Sequence, residues 1–388
     1  MRICHIINNL YIGGAELMLC RLLASIGQTQ HKHSVISLID VGPVGAQIER
    51  LGVPVTAIGM KRGKLSISAF LRLANALKDA RADLVQTWLY HADLLGALAM
   101  KYSRIRAPLI WNIRHSGLQK GVDSRTTFWT KHMCAAMSQQ TPARIVVNSQ
   151  VGKTIHAEEG YADQSMEVIP NGYDLNTLKP SAFLRQRLRN ELQISADVPL
   201  VGIVGRYHPQ KDHCTFIEAA DHLAKLIPDV RFLMCGEGLT WDNAKLRGEL
   251  EKRNLSERFR LIGPRHDVQS VHASVDVSVS SSLCGEGFSN VLAESMACET
   301  PCVATNIGDA ALIVGDAGKI VPPSDPVAMA QVVAELLRLP QRQRLQLGKA
   351  ARRRIAENFS IQRIAQRYLK LWESVMNSQH PAALRNAA

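Results

Sequence analysis

Residues 275–305 read VDVSVSSSLCGEGFSNVLAESMACETPCVAT. The first six alternate valine with small or polar residues, the period of a strand. A glycine-bearing loop, SLCGEGF (282–288), follows. A helical run then starts at Ser289 or Asn290, both good cap residues, and continues to about Cys298. Pro301 closes it before a second short strand, PCVAT (301–305). Strand, loop, helix and strand within one stretch is a βαβ unit, and βαβ units build parallel sheets covered by helices.

The same alternation runs along the chain. Strand-like runs fall at 2–7, 33–39, 83–88, 109–114, 143–148, 165–170, 200–205, 230–236 and 258–263. Helical runs such as AELMLCRLLASIG (15–27), AFLRLANALKDA (69–80) and HCTFIEAADHLAKLI (213–227) lie between them. The pattern begins afresh near residue 200, after IPNGYDLNTLKP (169–180). With 388 residues this predicts an α/β protein of two Rossmann-like domains, residues 1–172 and 173–360. A last helix at 361–376 is expected to pack back towards the first domain, with a flexible tail at 377–388.

Composition narrows the functional classes. Hydrophobic residues make up 46% and charged residues 21%, as in a folded globular protein. The opening residues do not read as a secretory signal, and no window holds the ~18 apolar residues of a spanning helix. The eight cysteines form no CxxC pair and lie mostly in apolar runs, which predicts reduced core thiols and no zinc site. The formal charge is +12, and 13 Lys or Arg face 4 Asp or Glu between Lys61 and Lys131. Such a field suits a phosphorylated substrate, an anionic membrane or a nucleic acid. Nucleic acid is disfavoured, because no basic aromatic ribbon, helix-turn-helix or finger pattern is present.

Three motifs sit at predicted strand ends. NNLYIGGAE (8–16) places Gly13 and Gly14 between a strand and a helix, where backbone can approach a ligand closely. It is not GxGxxG, and no acid closes the following strand as a nicotinamide site requires. VGIVGRYHPQKDH (201–213) puts Gly205, Arg206 and Lys211 after a strand, two cations suited to a diphosphate. The third is the opening stretch itself. Glu286 projects from its loop, and Glu294 lies more than a turn inside its helix. Backbone N–H groups from Phe288, Ser289 and Asn290 to Val291 favour an anion between them. Acids flanking an anion site fit a ligand that is part phosphate and part polyol, whose hydroxyls donate to the carboxylates.

Taken in order, GGAE, VGRYHPQKD and EGFSNVLAESMACETPCVAT resemble the retaining nucleotide-sugar glycosyltransferases of family 4, over about residues 1–370. That resemblance implies the GT-B fold, two Rossmann-like domains facing each other across a cleft. It implies that Glu286 faces the donor sugar, Glu294 holds the ribose hydroxyls, and Arg206 with Lys211 neutralises the departing diphosphate. It places His115, in WNIRHSG (111–117), near the donor sugar. His91, in QTWLYHADLLG (86–96), becomes an acceptor-side candidate, and the nucleobase wall falls at backbone near Arg265. No cofactor and no metal are expected, and the sequence offers no DxD motif.

The implied reaction moves a sugar from a UDP-, GDP- or ADP-sugar to a hydroxyl with retention. The implied acceptor is a lipid-linked or growing glycan in capsule, O-antigen or lipopolysaccharide assembly. The implied location is cytoplasmic, peripheral on the inner face of the membrane. Segments 61–73, 101–106 and 124–133 mix cations with apolar residues, as a surface on an anionic leaflet would. A nucleotide-sugar epimerase of the same fold and a non-catalytic sugar-nucleotide-binding protein are the competing readings. An epimerase needs further acids and bases around the sugar, and a retired enzyme has no need of Arg206, Lys211, Glu286 and Glu294 together.

Overall fold

The computed structural model describes residues 1–27, 31–61, 63, 66–118 and 123–379. It divides into two compact units: Met1–Gly172 together with the segment from Ile361 onward, and Tyr173–Ser360.

The first unit alternates strictly. Its elements are β1 (Arg2–Ile7), α1 (Gly14–Ile26), β2 (Lys32–Ser37), α2 (Gly42–Arg50), β3 (Val55–Ala57), α3 (Ile67–Ala80), β4 (Leu84–Trp88), α4 (Tyr90–Tyr102), β5 (Leu109–Ile113), α5 (Arg125–Met137), β6 (Arg144–Val147), α6 (Gln150–Glu158) and β7 (Met166–Val168). The strands form one parallel sheet in the order β3-β2-β1-β4-β5-β6-β7. β4 (LVQTW) and β5 (LIWNI) are buried along their whole length, so helices cover both faces and the strands are mostly apolar, with Gln86, Thr87 and Asn112 as buried polar members.

The second unit holds α7 (Ala182–Glu191), β8 (Leu200–Val204), α8 (His213–Leu226), β9 (Arg231–Cys235), α9 (Ala244–Lys252), β10 (Phe259–Leu261), α10 (Val268–Ser274), β11 (Val277–Ser280), α11 (Asn290–Ala297), β12 (Cys302–Thr305), α12 (Ala310–Val314), β13 (Lys319–Val321), α13 (Pro326–Arg338) and α14 (Gln341–Phe359). Its parallel sheet runs β10-β9-β8-β11-β12-β13. The chain then adds α15 (Ile361–Gln379) to the first unit.

α15 earns its place by one apolar stripe. Ile364, Ala365, Tyr368, Leu371, Trp372 and Val375 recur at helical spacing and are buried with Met18, Leu19 and Leu22 of α1. Burying side chains of this size contributes roughly 1.5–3 kcal/mol each. Two polar links fix its rotation: Trp372 Nε1 donates to Gln86 Oε1 at 2.7 Å, and Asn112 Nδ2 donates to Tyr368 Oη at 2.9 Å. The helix continues through Gln379, beyond the expected end at 376; residues 380–388 of the expected tail lie outside the described residues.

Other local departures have physical causes. β3 and β13 are three-residue edge strands, half open to solvent, and carry no run long enough to stand out in the sequence. The strand read at 275–280 begins two residues late because Asp276 is engaged elsewhere. Its carboxylate accepts from Arg185 at 2.7 Å, from the buried Arg189 at 2.8 Å and from the Leu200 amide at 2.8 Å. Among the cysteines, Cys214 is exposed and Cys20 and Cys284 are half-buried; the other five are buried thiols.

Candidate active site

In each sheet the strand order reverses once, at β1 and β4 in the first unit and at β8 and β11 in the second. Connections leaving the strands' carboxyl ends diverge there and open the crevice in which parallel sheets bind ligands.

In the second unit the chain leaves β8 through Gly205, at φ 150°, a conformation that disfavours any side chain. The Lys211 side chain lies over it, with Cε 3.7 Å from where a Cβ would stand. Arg206 is exposed, and Lys211 closes a short 3₁₀ turn, Pro209–Lys211. Asp212 follows at φ 45° and caps α8, accepting from the Thr215 amide at 3.2 Å. His213 is buried against Tyr207, and burial pushes its imidazole down to about 4, so it is neutral near pH 7.

The connection from β11 is stitched to that turn. Ser281 Oγ donates to the Lys211 carbonyl at 2.7 Å and to the Asp212 carbonyl at 3.0 Å. The Leu283 amide donates to the Gln210 carbonyl at 2.8 Å, and Thr305 Oγ1 donates to the Ser282 carbonyl at 2.6 Å. Those bonds bring Lys211 and Glu286 together. Glu286 Oε2 accepts from Lys211 Nζ at 2.6 Å and from Ser282 Oγ at 3.1 Å. Both side chains are mostly shielded, at 21% and 15% exposure, so this ion pair is screened less than a surface pair. On the far side the Asp309 amide donates to the Gly287 carbonyl at 2.9 Å, and Gly308, at φ 59°, leaves no room for a Cβ beneath the Glu286 and Gly287 carbonyls.

The start of α11 is built differently from the sequence expectation. Ser289 stands at the cap position, yet its hydroxyl is buried and makes no capping bond. Asn290 does not cap either: its Oδ1 accepts from Tyr173 Oη at 2.5 Å. Phe288 packs between Tyr173 and Phe359, and that packing fixes where the helix begins. Val291 is half-buried in the first turn. Glu294 is 12% exposed, with its carboxylate 3.7 Å from Nε2 of the fully buried His272. His272 Nδ1 is in turn 2.8 Å from Ser295 Oγ. Arg265 does not present a free guanidinium. It is bound to Glu191 at 2.6 Å and Asp267 at 2.8 Å, which raises its own pKa and lowers that of Asp267 to about 2.

In the first unit Gly13 precedes α1 in extended conformation and Gly14 is its first residue. The buried Glu16 carboxylate folds back over Gly13, and burial raises its pKa. Across the same reversal lies His91, in the first turn of α4, its pKa lowered by burial. The Ala92 amide donates to Asn8 Oδ1 at 2.9 Å and ties α4 to the end of β1. His115 follows β5 two residues on, and its Nδ1 accepts from the Gly117 amide at 3.3 Å.

Ser281, Ser282, Thr305 and His272 escaped the sequence reading. The first two had a signal: a run of serines at a strand's carboxyl end, SSS (280–282), is an unusual concentration of short donors. The other two are joined to the site only by the fold.

Comparison with known proteins places this architecture. The family model "Glycosyltransferase Family 4" matches residues 12–177, and "Glycosyl transferases group 1" matches residues 198–339. The UDP-Gal:α-D-GlcNAc-diphosphoundecaprenol α-1,3-galactosyltransferase of Escherichia coli is 26% identical over 244 residues, 62% of each chain. The D-inositol 3-phosphate glycosyltransferase of Corynebacterium urealyticum is 28% identical over 276 residues, 66% of this chain and 64% of that one. The alignments thus span less than two thirds of these relatives' length. Anabaena HepE, solved in complex with UDP, superposes with a TM-score of 0.82 at 23% identity, covering 96% of this chain and 100% of that one. By its two matched domains and its pair of parallel sheets, the chain belongs to the family 4, group 1 glycosyltransferases and has the GT-B fold.

Proposed function

We propose that the protein is a retaining, metal-independent glycosyltransferase that moves a sugar from a nucleotide diphosphosugar to a hydroxyl of a lipid-linked or growing surface glycan. The observation that carries this reading is the Lys211–Glu286 pair, held at 2.6 Å by the connections of the two strands at which the second sheet reverses. A diphosphate offers Lys211 and the exposed Arg206 two negative charges in place of one carboxylate. Glu286, released, accepts hydrogen bonds from the donor sugar, while Glu294 takes the ribose hydroxyls. Of the other residues singled out by the sequence, His115 is assigned to the donor sugar, Gly13 and Gly14 to the donor, His91 to the acceptor, and Arg265 to the backbone beside the base.

In the reaction the bond from the anomeric carbon to the β-phosphate oxygen breaks, and a bond from that carbon to the acceptor oxygen forms on the same face. The acceptor's proton passes to the departing phosphate oxygen. No protein nucleophile is required, and the main contribution is electrostatic, from Arg206, Lys211 and the start of α11. The E. coli galactosyltransferase is named for a UDP-sugar and a diphosphoundecaprenol-linked acceptor, which supports a lipid-linked acceptor here.

A thermal-shift screen against UDP-, GDP- and ADP-sugars, with NAD as control, tests the donor. Saturation at a hundred times the Kd adds about 2.7 kcal/mol of apparent stability. A shift confined to one nucleotide class, and lost in Arg206→Ala and Glu294→Ala, supports the reading; folded protein that responds to none refutes it.

The first unit also exposes apolar side chains close in sequence to cations, a combination suited to an anionic membrane. Ile67 of α3, Tyr102 of α4 and Trp129 of α5 are exposed, at 82%, 59% and 59%. Lys101, Arg104, Arg106 and Arg125 are exposed beside them in the sequence, and Arg62, Lys64 and Leu65 of the same basic segment lie outside the described residues. No helix of the described residues is long and apolar enough to cross a membrane. Co-sedimentation with phosphatidylglycerol vesicles that fails to weaken when Lys101, Arg104 and Arg106 are changed to Glu would refute electrostatic docking.

A further inference from the structure

A buried polar pair stands beside His115, and the chemistry above makes no use of it. Tyr90 opens α4 and His156 lies in α6; both are buried, His156 completely. Tyr90 Oη is 2.6 Å from His156 Nε2, and His156 Nδ1 is 2.6 Å from the Gly152 carbonyl oxygen. A carbonyl can only accept, so Nδ1 carries the proton and donates to it. Burial keeps this imidazole neutral, which leaves Nε2 as the acceptor of the Tyr90 hydroxyl. The whole chain of donors is thereby fixed in one direction.

Both ends of that chain abut His115. The Tyr90 ring centroid is 6.5 Å from the His115 ring. At the other end, Gly152 packs so closely that a Cβ placed on it would stand 3.6 Å from the His115 carbonyl oxygen. Ser149 clamps the same turn, accepting from the Gly152 amide at 3.0 Å. The backbone before Tyr90 is strained to put it there: Leu89 sits at φ 76°, and its amide donates to the Asn112 carbonyl of β5 at 3.0 Å. A non-glycine residue in that region is strained and persists where the surroundings over-determine it.

We propose that Tyr90 and His156 are positioning residues that hold His115, from its ring and from its backbone, in the orientation the transfer step needs. The proposal rests on the reading of His115 as a donor-sugar residue. The bond between the pair is the device, and its removal should loosen His115 without touching the second unit.

Tyr90→Phe keeps the ring and deletes the hydroxyl. The probe is the ¹³C-labelled imidazole signal of His115, assigned by its loss in His115→Ala; it should shift and broaden in Tyr90→Phe. With the nucleotide sugar selected by the thermal-shift screen, turnover should fall about 10- to 100-fold with little change in donor KM. The double variant Tyr90→Phe/His156→Phe removes both polar groups, so neither is left unsatisfied, and it should regain most of the Tm lost in the single variant while staying slow. An unchanged His115 signal in Tyr90→Phe, or wild-type turnover in the double variant, overturns the proposal. If the double variant does not fold, the His115 signal in Tyr90→Phe decides alone. His115→Ala separates the two levels: wild-type turnover there refutes the assignment of His115 itself, whereas a slow His115→Ala beside a fast Tyr90→Phe refutes only the positioning.

Discussion

Acid should unfold the first unit through its histidines, and the size of the effect follows from their surroundings. His5 on β1 is fully buried, and its neighbour His33 on β2 is 4% exposed. Trp88 Nε1 donates to His5 Nδ1 at 3.4 Å, so His5 carries its proton on Nε2 and donates to His33 Nδ1 at 3.2 Å. His31 stands edge-on to His33, Glu373 faces His31, and the Trp372 ring of α15 covers all three imidazoles. Protonating His33 on Nδ1 would oppose two donors and bury a charge. Burial, with His31 adding to it, therefore lowers His33 from 6.5 to about 4, and burial holds His5 well below its ordinary value.

A folded-state pKa below the unfolded one means that the unfolded chain binds more protons. The contribution to stability is thus complete above about pH 6.5 and is lost as pH falls towards 4. For His33 alone the full loss is about 3 kcal/mol, of which about 2 kcal/mol is gone by pH 5. In a domain of this size that lowers Tm by roughly 4–8 °C. Tryptophan fluorescence isolates the unit, since Trp88, Trp111, Trp129 and Trp372 all belong to it and only Trp241 does not. The comparison is His33→Asn, which keeps an acceptor near the Nδ1 position and cannot titrate. Its loss of stability between pH 7 and pH 5 should be smaller than that of the parent by about 2 kcal/mol. Equal losses in the two proteins would refute the argument from burial.

Three further outcomes are expected in the second unit. Lys211→Ala should lower turnover by about two to three orders of magnitude while the protein stays folded, because the charge that builds on the departing diphosphate loses a donor; single-turnover rates and circular dichroism check both halves. Asp276→Ala strands the buried Arg189 and should destabilise this unit by about 3–5 kcal/mol, read by urea unfolding followed through Trp241. Gly308→Ala forces a Cβ into the Glu286 and Gly287 carbonyls at a positive φ, so it should cost more than about 1 kcal/mol and weaken nucleotide-sugar binding by displacing Glu286, measurable by calorimetry.

What the sequence could reveal of this protein depended on whether a feature is local. The alternation of strands and helices is local, because a strand buried on both faces is mostly apolar, and so the interior strands stood out while the half-solvated VTA and KIV edges did not. Glu286 and Lys211 were each visible as a charge at a strand end, yet 75 residues separate them. Their direct bond depends on the strand order β8-β11 and on Ser281 stitching the two connections, neither of which any window of sequence contains. The cap of α11 failed for the same reason in reverse. Ser289 and Asn290 have the right local chemistry, but Tyr173, reached only through the fold, takes the Asn290 side chain and leaves the helix start to be set by packing on Phe288. A helix fixed from behind in this way does not spend its own side chains on its first amides. In the proposed reaction the positive end of that helix adds to the electrostatic stabilisation of the departing diphosphate.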